Sequence, residues 1–110
     1  MMKEEIIMNL KELFDAVNEL DVDENGRCNI KLVTIRVDRE NEKFSFERLD
    51  GTVVREVVRI GDTVKCIPVD ATTRYYRDYH EEEYNIDDDV SVLPTGIRAS
   101  LVIIGVLDKM

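Results

Sequence analysis

The chain has no tryptophan, one histidine and two cysteines among its 110 residues. Each scarcity excludes something. Cys28 and Cys66 lack the close spacing of a redox or zinc pair, and two cysteines build no disulfide framework, so both are expected as buried, reduced thiols. The longest nearly unbroken apolar run, 101–107, is too short to span a bilayer, and no signal-peptide pattern opens the chain. The expectation is a cytoplasmic protein, or one assembled in a host cytoplasm if viral. No Gly-rich phosphate loop and no βαβ rhythm occur, which argues against nucleotide binding. His80 stands beside Glu81, Glu82 and Glu83. A His–carboxylate pair is one part of a hydrolase triad, yet Ser45, Ser91 and Ser100 lie outside any G-x-S-x-G elbow. A solvated histidine in an acidic loop is the plainer reading, and neither an enzyme nor a cofactor is expected.

Positive charge is also short. The formal net charge is −9, from 24 acids and 15 bases. Residues 1–26 hold eight acids and two bases, and residues 70–89 hold eight and two. Residues 27–69, by contrast, hold seven acids and nine bases. Repulsion disfavours free nucleic acid and anionic membrane, while a basic protein partner is permitted. Length fits one domain, 1–110, with a core that needs no metal or disulfide staple.

What is present is organised around residues 43–69. Asp50-Gly51 and Gly61-Asp62 read as two-residue hairpin turns, because positive φ matches the twist of the flanking strands. Counting outward pairs Leu49 with Thr52, Phe46 with Arg55 and Phe44 with Val57. The second turn pairs Ile60 with Thr63, Val58 with Lys65 and Val57 with Cys66. Alternation then puts Phe44, Phe46, Val53, Val57, Val64 and Cys66 on one face, with Arg48, Arg55 and Arg59. The other carries Leu49, Val54, Val58, Ile60, Ile67 and Val69, so both faces are expected to be covered, by the chain or by a partner. Pro68 places the 63–69 strand at an edge or at its end.

Before the meander, residues 4–20 read as an amphipathic helix. Ile6, Leu10, Leu13, Val17 and Leu20 form the stripe, Ile7 and Phe14 widen it, and Glu4 and Glu5 suit its dipole. Met1, Met2 and Met8 leave three possible starts. Residues 21–26, DVDENG, put Asp21, Asp23 and Asn25 at the first, third and fifth positions of a calcium loop, with Gly26 at the sixth. The twelfth position is Leu32 instead of a bidentate Glu, so an Asx turn from helix to strand is the plainer reading. Residues 29–38 read as one strand with a phase slip near Leu32, taken as a bulge or burial on both faces. That makes about four consecutive strands.

Residues 70–89 are the least regular. Arg74, Tyr75, Tyr76, Arg77, Tyr79 and Tyr84 are the expected partner-binding set, since Tyr and Arg anchor interfaces. Asp87, Asp88 and Asp89 form a charge run, read as solvated because three consecutive carboxylates converge poorly on a cation. Residues 90–110 read two ways. As strands, 90–93 turns at Pro94-Thr95-Gly96 into a buried strand, which the branched residues favour. As a helix, Thr95 caps it and Ile97, Leu101 and Ile104 share a side.

The order Asp87-Asp88-Asp89-Val90, Leu93-Pro94, then Ile97 through Leu101-Val102 to Gly105-Val106-Leu107, after a Tyr-rich acidic loop, resembles the end of head-to-tail connector (adaptor) proteins of tailed phages. It covers roughly a quarter of the chain. The resemblance implies a structural ring subunit and a helix at 96–108. The combined expectation is an α+β domain: an N-terminal amphipathic helix on an antiparallel β-meander, with the C-terminal segment, strand or helix, completing the core. The expected function is a non-enzymatic protein-interaction or structural subunit, self-associating or bound to a protein partner. The alternative is a small acidic inhibitor or nucleic-acid mimic that binds a basic partner.

Overall fold

In the computed structural model, residues 8–69 and 81–108 are described. Helix α1 spans Leu10–Asn18, and α2 spans Thr95–Ile104. Between them run β1 (Arg27–Ile30), β2 (Val33–Asp38), β3 (Lys43–Glu47), β4 (Val53–Ile60), β5 (Thr63–Pro68) and β6 (Glu82–Asn85). A short 3-10 turn, Val90–Val92, precedes α2. The strands form one antiparallel meander in sequence order. The α+β reading holds, but the sheet has six strands where about four were expected.

One of the extra strands comes from the slip at Leu32, which is a reversal and not a bulge. Ile30 pairs with Val33, so Lys31 and Leu32 are a two-residue turn, and Lys31 takes φ 57. The single strand expected over 29–38 is therefore the hairpin β1–β2. The other is β6, which adds to β5 with Val64 opposite Tyr84 and Cys66 opposite Glu82. Pro68 ends β5 beyond the reach of β6, where its missing N–H breaks no ladder.

The central register follows the counting. Phe44 pairs with Val57, Phe46 with Arg55, Val57 with Cys66 and Ile60 with Thr63. The first turn differs. Glu47 pairs with Val53, a one-residue shift that leaves Val54 as the extra residue, and the Arg48 N–H donates to the Thr52 carbonyl at 2.9 Å. Leu49 and Thr52 are therefore not a strand pair. A bulge bends β4 and increases its twist there.

One face of the sheet makes the core. Phe44, Val57, Val64, Cys66 and Ile35 are buried, joined from the helices by Leu10, Leu13, Phe14, Val17, Ile97, Leu101 and Ile104. Phe14 seats α1 on Phe44 with ring centroids 5.3 Å apart. Of the opposite face, Val58 and Ile67 are half-buried while Ile60 and Val69 are exposed; Val54, expected there by alternation, is the unpaired bulge residue. Among the described residues no helix packs over it.

Helix α1 starts at Leu10, later than the apolar stripe suggests. Asn9 is the N-cap in extended conformation, and its side chain and that of Glu12 form a reciprocal capping box. The remaining first-turn donors are also met: Leu10 and Lys11 donate to the carbonyls of Asp88 and Ile86 at 2.9 and 3.0 Å. A cap consumed this way stops the helix from extending upstream through Asn9. Glu4, Glu5, Ile6 and Ile7 lie outside the described residues.

The C-terminal segment is helical, against the composition that favoured a strand. Pro94 is the N-cap, with Thr95 inside the first turn. Gly105, at φ 95, ends the helix: its N–H and that of Val106 return to Val102 and Leu101 at 3.0 and 2.9 Å.

Candidate partner-binding surface

Most of the expected binding set lies outside the described residues: Arg74, Tyr75, Tyr76, Arg77 and Tyr79, with His80 beside them. Tyr84 is described. It stands on β6 opposite Val64, packs half-buried against the core, and donates its hydroxyl to the Glu82 carboxylate. Burial and that bond both raise the phenol's pKa above the ordinary tyrosine value. The neighbouring Cys66 thiol is pushed up to about 11 by burial, so it is a poor nucleophile at neutral pH. Cys28 is half-exposed, and both thiols are free.

The DVDENG segment uses its oxygens on the backbone. Asp23 Oδ1 accepts from the N–H groups of Asn25 and Arg27 at 2.8 and 3.0 Å. Those two bonds, that from Arg27 first, hold the carboxyl below its usual range. Gly26 closes the turn at φ 79, and its carbonyl accepts from Val37 N–H at 2.7 Å. Asp21 and Asn25 are exposed; among the described residues no group of three or more His, Cys, Asp or Glu side chains is placed to hold a metal. The Asp run is likewise employed locally. Asp88 accepts from Asn85 N–H and Asp89 from Ser91 N–H, at 2.9 and 2.8 Å.

A cleft that the sequence does not announce opens where the first turn of α2 meets the ends of β2, β3 and β4. Its volume is about 240 Å³, and Val33, Phe46, Val54 and Ile97 form most of its apolar lining. Leu32 stands at its lip, 78% exposed. Glu47 is the one acid in the lining, and its side chain is 3% exposed. The carboxylate is held by Arg27 Nε at 2.8 Å, a bond that raises the guanidinium's pKa further. Arg55 lines the same cleft, and its positive charge partly offsets the burial that raises the Cys66 thiol's pKa. The cleft needs the β4 bulge and the helical form of 95–104, and neither can be read from turn residues alone. The signal that was available is the phase slip near Leu32.

The charge layout is uneven in space as in sequence. Glu12, Asp15, Glu19, Asp21, Asp23 and Glu24 follow one another along α1 and the loop after it, all exposed. Among the described residues no helix is long and apolar enough to cross a membrane. Comparison with protein-family models, with curated proteins and with solved structures finds no match.

Proposed function

We propose that this chain is a non-enzymatic protein-interaction or structural subunit that works by burying sheet surface against another protein or another copy of itself. The observation carrying this reading is the one-sided cover of the meander. Both described helices sit on the Phe44 face, while Ile60, 60% exposed, and Val69 stand on the other. Wide antiparallel sheets commonly leave one face to solvent, but that face is then polar; here aliphatic side chains alternate with Lys43, Glu56 and Lys65. A phage connector subunit assembled in a host cytoplasm is one form of this proposal. Its support is the resemblance of 87–107 together with a helix, Thr95–Ile104, that overlaps most of the 96–108 stretch where the resemblance implies one.

The exposed acids along α1 and its following loop favour a second reading, an acidic inhibitor or nucleic-acid mimic bound to a basic partner. Salt separates the two. Size-exclusion chromatography with light scattering, run at low and high ionic strength, is expected to show association that holds or tightens with salt if apolar sheet surface drives it. A mimic complex dissolves as salt rises. A monomer under both conditions, with no partner, counts against the subunit reading.

A further inference from the structure

The first and last strands of the sheet are its edges, and both are closed in the same way. β1 and β6 have four residues each and a neighbouring strand on one side only. An edge residue facing outward keeps an N–H and a C=O that an added strand would bond together. At Arg27 one residue takes both. The Arg27 N–H donates to Asp23 Oδ1 at 3.0 Å, and its carbonyl accepts from the Asp23 N–H at 2.9 Å. At Asn85, Asp88 does the same. The Asn85 N–H donates to Asp88 Oδ2 at 2.9 Å, and its carbonyl accepts from the Asp88 N–H at 2.9 Å. Each aspartate thus offers the donor and the acceptor that a facing residue of a new strand would offer. Asp23 precedes its partner by four residues and Asp88 follows its partner by three, so the shared geometry is not one turn motif used twice.

We infer that Asp23 and Asp88 guard the two sheet edges against strand addition, by other chains and by copies of this one. The inference stands on the edges alone and does not depend on whether the Ile60 face binds a partner. Alternation shows how little edge is left. Arg27 and Asn85 turn their backbone groups away from β2 and β5, so Asn29 and Glu83 do as well, while Cys28, Ile30, Glu82 and Tyr84 turn theirs inward. Each four-residue edge therefore has two outward residues, and its aspartate removes one. A single remaining residue is too short for a ladder. On β6 that residue is Glu83, whose side chain lies 3.4 Å from Lys65 and is still 61% exposed, and charge on an edge also opposes pairing.

Hydrogen exchange followed by NMR reads the guard in the unmodified full-length protein. The amides of Arg27 and Asn85 are expected to exchange roughly tenfold more slowly than those of Asn29 and Glu83. Asp23→Ala combined with Asp88→Ala should erase that difference. It should also give larger species by light scattering across a concentration series, with a rise in thioflavin T fluorescence. Asp23→Asn combined with Asp88→Asn keeps an acceptor oxygen at each edge and should behave as the unmodified protein. Association through the Ile60 face is common to all three proteins, so the excess in the alanine variant reads the edges. Equal exchange at the four amides overturns the inference. So does an alanine variant that folds yet associates no more than the unmodified protein. An asparagine variant that associates as the alanine one does also overturns it, because charge and not the bond is then at work. If the alanine variant fails to fold, the exchange pattern of the unmodified protein decides.

Discussion

Gly26 shows how a residue that resembles part of an ion site is explained by backbone geometry. Its φ of 79 belongs to the left-handed region, and a Cβ built there would lie 2.6 Å from the Val37 carbonyl oxygen. The close approach lets Gly26 and Val37 bond, which ties the loop after α1 to β2. Gly26→Ala should therefore destabilise by more than about 1 kcal/mol, since it combines a positive-φ penalty with a contact to rigid backbone. Urea unfolding of the two proteins reads this directly; equal midpoints would mean the loop relaxes freely. Asp23 was legible as a turn former from its spacing to Asn25 and Gly26. The partner of Gly26, eleven residues onward in β2, was not, because nothing local encodes a contact across a sheet.

At the scale of elements, the sequence patterns were sound where alternation was regular and failed where two periods compete. The three-strand middle reads correctly from its glycine turns, since Phe44, Val57 and Cys66 do lie across from one another. Residues 97–104 hold branched side chains that suit a strand, yet they form a helix because the core presents a site for one narrow stripe. Leu101 is fully buried and Ile104 nearly so, while Ile103 is 41% exposed. A strand would bury Leu101 and Ile103 together. Leu101→Ala should thus cost about 2–5 kcal/mol, and Ile103→Ala should stay within about 0.5 kcal/mol. Comparable losses at both positions in chemical denaturation would restore the strand. The start of α1 shows the same tension. Hydrophobic spacing continues upstream of Asn9, but a side-chain cap and two carbonyls borrowed from the 86–88 segment end the helix there.

For the whole molecule, the titrating groups set a window of stability. Asp23, Asp38, Asp50 and Asp89 are each held below the ordinary value of 3.8 by hydrogen bonds, from Arg27, Asn41, Thr52 and Ser91 in turn. A lowered carboxyl pKa adds stability above the unfolded value, lost as pH falls through the folded one. Cys66 and Tyr84 act in the opposite sense. Their pKa values are raised from 9.0 and 10.0, the thiol to about 11, so their contribution is complete below pH 9 and is lost as pH climbs. Thermal midpoints should hold level from about pH 5 to 9 and fall on both sides. Cys66→Ala should flatten the alkaline fall between pH 9 and 11; an unaltered slope would show that Cys66 is not titrating there.

From the order of residues alone came the α+β class, the two central hairpins, the side of α1 that faces inward and the acid-rich segments 1–26 and 70–89 on either side of the central strands, because each depends on neighbours within a few positions. Long-range packing decided the rest. It turned the slip at Leu32 into a hairpin, gave 95–104 to a helix, set both described helices on one sheet face and placed Arg55 beside an apolar cleft. Those outcomes depend on which distant surfaces compete to bury the same side chains, and local spacing does not contain that competition.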